Sequence, residues 1–224
     1  DSAVAVTSVS NSFTRILKDA GVDNAISIPN GVSSLAPRTR ASRSDERLVI
    51  GHVGGRSTHK GATLIEALLR ATPFKNLKLI MVDYRFEPGT RVNRLWGTTP
   101  VTLCGPFPQS EVAELYASLD VLLCPSIWPE AFGLVAREAQ ALGLWVVTSN
   151  LGAMGEDIKD GENGFVVDVS DGRGLAKTLS TLDRGYKRYK FPPRRQKNGG
   201  MRQSDDQSRE IANLYKKLIR NENV

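Results

Sequence analysis

Short, continuous runs of apolar residues recur along the chain. Runs of this length, rich in Val, Leu and Ile, are typical of strands that are buried on both faces of a sheet. They predict seven strands, at residues 4–6, 48–53, 77–82, 101–104, 121–123, 144–147 and 165–167.

The segments between these runs carry apolar residues at the spacing of one helix face. They predict helices at residues 60–70, 108–119 and 204–220, and a further helix that opens at Gly133 and turns Leu134, Ala141 and Leu142 toward the core. Alternating strands and helices predict an α/β fold, with a Rossmann-like, doubly wound parallel sheet and right-handed crossovers. Ligands of such sheets bind beyond the carboxyl ends of the strands.

Two carboxylates lie at one of these strand ends. Glu130 follows the fifth apolar run and a Pro-rich turn, and Glu138 lies eight positions later, on the helix that Gly133 opens. The backbone amides of Phe132, Gly133 and Leu134 at the start of this helix are donors for an oxyanion or a hydroxyl. A carboxylate offers only acceptors, which suits a vicinal diol.

The composition is ordinary for a soluble globular protein, with 224 residues, 40% hydrophobic and 24% charged. No apolar run approaches the roughly 20 residues that span a bilayer, and the N-terminus lacks a signal-peptide pattern. We therefore expect a cytoplasmic protein. Cys104 and Cys124 fall at the ends of predicted strands, so we expect reduced, buried thiols rather than a disulfide bridge.

A basic block begins at Arg184. Residues 184–197 hold seven Lys and Arg and no acid, and they supply much of the net charge of +6. This composition favours a solvated connector. The next interpretation is a peripheral contact with the inner face of an anionic membrane. Nucleic acid is not expected as a partner, because no recognised nucleic-acid motif accompanies the charge.

The segment from Glu130 to Glu138 has the pattern Glu-x-Phe-Gly-x-x-x-x-Glu, followed by Ala-x-Gly and a buried strand. It resembles the signature of glycosyltransferase family 4, whose members are retaining enzymes of the two-domain GT-B fold. Three more segments match in the family's order: 28–32 as the interdomain linker, 53–61 as the phosphate-binding loop and 160–167 as the last strand with its turn. The resemblance extends over residues 1–182 and implies the C-terminal, nucleotide-sugar-binding half of such an enzyme.

The resemblance implies roles for the residues that follow the strand predicted at 48–53. Arg56 and Lys60 match the family's basic pair, which holds the diphosphate and opposes the leaving-group charge, and Gly54 and Gly55 let the backbone approach the phosphates. The family's commonest form places Arg five positions before Lys, whereas Arg56 lies four before Lys60. If Gly55 holds the usual Arg position, Arg56 points elsewhere, which makes Lys60 the firmer assignment.

The same resemblance assigns the carboxylates. Glu138 accepts the ribose hydroxyls, and Glu130 contacts the transferred sugar beside the amides of Phe132, Gly133 and Leu134. Phe107, in the turn at 105–109, either contacts the base or packs in the core. The family uses UDP-, GDP- and ADP-sugars; the donor expected here is a UDP- or GDP-sugar, with no further cofactor. We expect no metal site, because no Asp-x-Asp motif is present and His52 and His59 form no ligand constellation.

The first residues resemble the end of a preceding family domain. The sequence therefore predicts a fragment of a longer protein, or a half enzyme completed by another chain, with the acceptor glycan or glycolipid bound by the missing domain. The alternative is a non-catalytic module that binds a nucleotide sugar or a partner. A dinucleotide-dependent oxidoreductase is disfavoured, because residues 51–56 lack the Gly-x-Gly-x-x-Gly spacing. The predicted divisions are an N-terminal remnant and linker (1–35), the donor domain (36–182), a basic connector (183–203) and an amphipathic helix (204–224).

Overall fold

The computed structural model describes residues 3–32, 46–193 and 202–220. Its strands are β1 (Val6–Ser8), β2 (Ala25–Ser27), β3 (Leu48–His52), β4 (Leu77–Val82), β5 (Arg91–Trp96), β6 (Thr99–Cys104), β7 (Val121–Cys124), β8 (Trp145–Ser149) and β9 (Gly164–Val167). Its helices are α1 (Asn11–Asp19), α2 (Ala62–Ala71), α3 (Val112–Ala117), α4 (Leu134–Ala141), α5 (Arg173–Arg184), α6 (Tyr186–Tyr189) and α7 (Ser204–Ile219), with short 3-10 turns at Thr58–Lys60 and Gln109–Glu111.

Seven strands form one sheet in the order β5-β6-β4-β3-β7-β8-β9. Every neighbouring pair is parallel except β5 and β6, which are antiparallel. The predicted α/β fold is therefore confirmed, with one antiparallel edge added. Strand β5 was not predicted, because its side chains are mostly exposed and include Arg91 and Arg94, as suits an edge strand.

Helices cover both faces of this sheet. Along β3, Leu48 and Ile50 belong to one core cluster while Val49 belongs to another, because alternate side chains of a strand point to opposite faces. The first cluster contains side chains of α2, α5 and α6, and the second contains side chains of α3 and α4. This arrangement is the doubly wound packing that the alternating pattern predicted.

A smaller parallel pair, β1 and β2, is joined by α1. The strand predicted at residues 4–6 corresponds to β1, which begins at Val6. Strand β2, only three residues long, was not predicted. Helix α7 lies against the segment that follows β2: the Gly31 amide donates to the Gln207 side chain at 3.1 Å, and Val32 pairs with Gln203 as an isolated bridge.

One core assignment was wrong. Leu134 was expected to face the core, but its side chain is 47% exposed. The buried positions of α4 are those from Ala136 to Ala139. Leu134 is the first residue of this helix, and burial begins two positions later, at Ala136.

The described part of the basic block carries exposed cations and is anchored to the sheet at Tyr189 and Lys190. Tyr189 of α6 is buried and meets Trp145 edge-on at 5.0 Å, and the Lys190 ammonium donates to the Glu46 carbonyl at 2.5 Å. Residues 194–197 of the block lie outside the described residues. None of the described helices combines the length and the apolar character needed to cross a membrane.

Candidate functional site

The strand order reverses between β3 and β7. From β3 the chain first builds outward through β4 to β6 and β5, and it then returns to build β7, β8 and β9 on the other side. The helices that follow these two strands pack on opposite faces of the sheet, α2 on one and α4 on the other. At such a point α/β sheets bind ligands in a crevice outside the carboxyl ends of the strands. Lys60 lies after β3 and Glu130 lies after β7. Their ammonium and carboxylate groups meet at 2.5 Å across this crevice.

Backbone contacts join the two loops. The Ile127 amide donates to the His59 carbonyl at 2.9 Å, and the Ser126 hydroxyl lies 2.8 Å from the same oxygen. Gly61 has φ +83°, and a Cβ atom there would overlap the Pro125 carbonyl. A larger residue at Gly61 would therefore push the Lys60 loop away from the Glu130 loop.

Glu130 is also held from a third loop, the one after β8. The Ala153 amide donates to the Glu130 carbonyl at 2.8 Å, and Glu130 pairs with Gly152 as an isolated parallel bridge. The Ser126 hydroxyl lies 3.1 Å from Glu130 Oε1, the same oxygen that pairs with Lys60. The carboxylate is therefore fixed by its backbone and by two side chains.

Helix α4 begins beside this carboxylate. Gly133, its N-cap, has φ +77°, and a Cβ atom there would overlap the Met154 side chain. The Arg137 guanidinium lies 4.0 Å from the centroid of the Phe132 ring, donates to the Phe132 carbonyl and pairs with Asp157 at 2.9 Å. Buried Arg137 thus holds in place the backbone that presents the first amides of α4.

Glu138 lies one turn further along α4 and is 9% exposed. Its Oε2 accepts a hydrogen bond from the hydroxyl of Tyr116 at 3.0 Å. Burial raises the pKa of the Glu138 carboxyl above its ordinary value, because a charged group loses hydration there, and the Tyr116 hydrogen bond acts in the opposite direction. Glu138 is therefore a buried carboxylate rather than a surface residue.

The glycine turn after β3 is packed closely. Gly55 has φ +71°, and a Cβ atom there would overlap the Tyr84 ring, whose hydroxyl donates to the Val53 carbonyl at 2.9 Å. His52 is buried beneath the turn, with Nε2 3.1 Å from the Gly55 carbonyl and Nδ1 2.9 Å from the Leu123 carbonyl. Burial lowers the pKa of His52, so the ring is neutral and donates from one nitrogen.

Arg56 lies apart from the Lys60–Glu130 pair. Its guanidinium bonds Glu66 of α2 at 2.5 Å and lies 5.9 Å from the centroid of the Trp96 ring. The structure therefore brings Lys60, Glu130 and the start of α4 together and places Arg56 against α2. This is the alternative that the four-residue spacing left open.

Phe107 and the histidines have local partners. The Phe107 ring is partly buried and packs against the cluster of Val82, Cys104 and Leu115. Nδ1 of His59 lies 2.6 Å from the Ser57 hydroxyl. In the described ranges, no group of three or more His, Cys, Asp or Glu side chains is placed to hold a metal ion. Both cysteines are buried free thiols, as expected.

Sequence reasoning missed several residues that build the site. Ser126 lies in the Pro-rich turn before Glu130 and could have been found as the hydroxyl nearest to Glu130 along the chain. Arg137 was hidden because a basic residue inside a helix is usually exposed. Tyr116 was assigned only to an apolar helix stripe, and Gly152 had no signal beyond the turn propensity of glycine.

The family described as "Glycosyl transferases group 1" matches residues 38–192, more than half of the chain. Among curated proteins, the D-inositol 3-phosphate glycosyltransferase of Corynebacterium efficiens is 32% identical over 145 residues, covering 60% of this chain and 34% of that protein. The Corynebacterium glutamicum (strain R) protein of the same name is 28% identical over 188 residues, covering 79% and 45%. The chain spans less than half the length of these relatives.

Solved structures share the fold. Sucrose-phosphate synthase from Thermosynechococcus elongatus superposes with a TM-score of 0.75 at 21% identity, covering 98% of this chain and 59% of that one. Anabaena HepE in complex with UDP and glucose also gives 0.75 at 21% identity, covering 96% and 63%. On the strength of the match over residues 38–192, the chain belongs to the family of glycosyl transferases group 1.

Proposed function

We propose that this chain is the C-terminal, donor-binding domain of a retaining glycosyltransferase of family 4. It holds a nucleotide-diphosphate sugar while the sugar is transferred to an acceptor hydroxyl. The observation that carries the proposal is the meeting of Lys60 and Glu130 at 2.5 Å where the strand order reverses. A cation for the diphosphate and a carboxylate for the sugar lie there beside the first amides of α4.

Lys60 supplies the positive charge of the reaction. As the glycosidic bond breaks, negative charge develops on the leaving diphosphate, and a nearby ammonium stabilises it. Glu130 accepts hydrogen bonds from hydroxyls of the transferred sugar, and the amides of Phe132, Gly133 and Leu134 donate to the same ligand. Arg56, turned toward Glu66, contributes to the diphosphate site only through its long-range charge unless the side chain changes rotamer.

In this proposal the acceptor hydroxyl attacks the anomeric carbon on the same face from which the leaving group departs. The anomeric configuration is therefore retained. The departing phosphate oxygen takes the proton of the acceptor hydroxyl as the new glycosidic bond forms. The chain contributes position and electrostatics rather than a covalent nucleophile. No metal ion or other cofactor is required, since Lys60 provides the compensating charge.

Glu138 and the loop at 105–109 bind the nucleoside. The buried Glu138 carboxylate accepts the ribose hydroxyls. Phe107, whose ring packs against Val82, Cys104 and Leu115, is proposed to contact the base with the surface that this packing leaves open. Anabaena HepE was solved with UDP and with UDP-glucose, and its similar fold supports a nucleotide of this class. We propose UDP or GDP as the nucleotide carried by the donor.

The acceptor, a glycan or glycolipid, is proposed to bind a further domain that closes over the donor and excludes water. The enzyme is proposed to work in the cytoplasm, with basic residues of 184–197 touching an anionic membrane surface. Cosedimentation with vesicles of anionic or neutral lipid tests this contact, and equal binding to both would contradict it.

Calorimetric titration of the chain with UDP, GDP and ADP, without added metal and then with Mg²⁺, tests the donor site. One nucleotide is expected to bind selectively without metal, and a Glu138→Ala variant is expected to lose that binding. Binding that is equal in the variant would exclude Glu138 from the site. No binding by any of the three nucleotides would contradict the donor-domain proposal.

A measurement of sugar transfer distinguishes an enzyme from a non-catalytic module. Lys60→Ala in the complete enzyme is expected to abolish most turnover while leaving the fold intact. Unchanged turnover in that variant would remove Lys60 from the mechanism. Nucleotide binding without transfer by the complete protein would favour the non-catalytic module instead.

A further inference from the structure

Tyr116 lies in α3 with its ring 1% exposed and its hydroxyl directed at α4. The oxygen lies 3.0 Å from Glu138 Oε2 and 3.4 Å from the Val135 carbonyl. A phenol has one proton and donates one hydrogen bond at a time. The bond to the carboxylate is shorter and charge-assisted, so it takes the proton.

Packing explains the Tyr116 ring but not its hydroxyl. The ring belongs to the core cluster that includes Leu119, Leu122 and Ala139. A phenylalanine would fill the same space without burying a polar atom, which costs free energy unless it is hydrogen-bonded. Core packing therefore does not account for the presence of the Tyr116 hydroxyl.

Glu138 has few other restraints. In the part of the chain that the structure describes, Tyr116 is the one side chain that hydrogen-bonds the Glu138 carboxylate. A carboxylate offers about four lone-pair positions, and Tyr116 uses one of them. Oε1 and the second lone pair of Oε2 remain for two hydroxyls of a ligand.

We propose that Tyr116 is a positioning residue, whose hydroxyl holds the Glu138 carboxylate in the orientation that accepts both ribose hydroxyls of a nucleoside diphosphate. The inference rests on the proposed function of the chain and extends its ribose site to a second element, α3. Tyr116 acts through Glu138 and does not itself touch the ligand.

The Tyr116→Phe variant tests the role, because it keeps the ring and removes only the hydroxyl. UDP and GDP are titrated against the wild-type chain and the variant, and the tighter of the two is compared with its 2′,3′-dideoxy counterpart. The variant is expected to bind the ribonucleotide roughly tenfold more weakly, the size of one hydrogen bond to a charged group. Binding of the dideoxynucleotide is expected to stay unchanged, since it has no ribose hydroxyls.

A matched control is Tyr189→Phe. Tyr189 is also a buried tyrosine, but it packs with Trp145 and Phe165 in the other core cluster. This variant is expected to bind both nucleotides as the wild type does. Thermal unfolding of both variants checks that each is folded at the titration temperature.

The pH dependence gives a readout that packing alone does not move. The Tyr116 hydrogen bond lowers the pKa of Glu138, so its removal raises that pKa. Only the charged carboxylate accepts from both hydroxyls, and it is lost as the pH falls through the pKa. In Tyr116→Phe, the loss of ribonucleotide binding on acidification is therefore expected to begin at a higher pH.

A double-mutant cycle completes the test. In a Glu138→Gln background, Tyr116→Phe is expected to cost little further affinity, because Tyr116 acts through the charged carboxylate, which the first change has already removed. Equal losses for the ribonucleotide and the dideoxynucleotide, or an unmoved pH profile, would overturn the positioning role while leaving the donor site standing. A wild-type chain that binds neither UDP nor GDP would overturn the proposed function and the inference with it.

Discussion

Among single residues, Lys60 is the centre of the proposed donor site. Its ammonium meets a carboxylate that comes from a strand end seventy positions away, and its side chain is 36% exposed. A partly exposed ion pair contributes little to stability, about 1 kcal/mol or less. The same charge facing a bound diphosphate is worth more, because the ligand brings two negative phosphates to it.

Replacing Lys60 should therefore separate binding from stability. Lys60→Ala is expected to weaken nucleoside diphosphate binding about 10- to 100-fold, the range of charge-assisted hydrogen bonds. The free energy of unfolding is expected to change by about 1 kcal/mol. Calorimetry and urea unfolding measure the two effects.

The matched control is Lys159→Ala, which removes an exposed lysine of the same domain. It should leave both quantities at their wild-type values. A Lys60→Ala variant that binds the nucleotide normally would remove Lys60 from the diphosphate site. A Lys159→Ala variant that binds it equally poorly would show that net charge alone accounts for the loss.

At the scale of the element, three loops fix the site from neighbouring strand ends. The loops after β3, β7 and β8 meet through Gly61, Ser126 and Gly152, each close against the backbone of another loop. Gly152, at φ +68°, lies so close to Glu130 that a Cβ atom would overlap its backbone. The site's geometry thus depends on contacts between loops rather than within them.

Variants at two glycines separate the free-energy cost of a positive φ angle from the cost of a steric overlap. Gly161, at φ +74°, has nothing within 4 Å of an added Cβ, so Gly161→Ala should cost about 1–2 kcal/mol of stability from backbone strain alone. Gly152→Ala adds the overlap with Glu130, and we expect a total cost of about 3 kcal/mol.

Urea unfolding compares the two variants, and nucleotide titration shows whether the site moves. Gly152→Ala should also weaken nucleotide-sugar binding, while Gly161→Ala should not. Equal costs in the two variants would mean that the β8 loop yields easily and does not hold Glu130 in place.

At the scale of the whole molecule, burial is uneven. Strands β3, β7 and β8 are buried at every position, whereas α7, at sixteen residues, has no buried residue. Helix α5, at twelve residues, buries four side chains. A backbone amide exchanges its hydrogen slowly where exchange requires the core to unfold. Amides of weakly packed elements exchange fast.

Hydrogen exchange should follow this order. Amides of β3, β7 and β8 are expected to be the slowest, those of α5 intermediate and those of α7 the fastest among these elements. Mass spectrometry of peptic fragments measures the order. Protection of α7 equal to that of the central strands would show that its exposed face, with Tyr215 and Ile219, is covered in solution.

Much of this protein could be predicted from its sequence. The apolar runs located β3, β4 and β6 to β9 to within two residues, because each strand buries its own side chains and local periodicity records that burial. The motif from Glu130 to Glu138 and the loop around Lys60 indicated the glycosyltransferase family through their resemblance to its signatures. The edge strand β5 and short β2 escaped because neither has that periodicity.

Which of these groups meet depends on the folded chain. Lys60 pairs with Glu130, Arg56 turns to Glu66 and Tyr116 lies against Glu138 because of strand order and contacts between distant elements. Local patterns along the chain specify the elements and the chemical groups that they carry. The positions of the side chains around the crevice were decided by packing across the sheet, because non-local contacts leave no periodic trace along the chain.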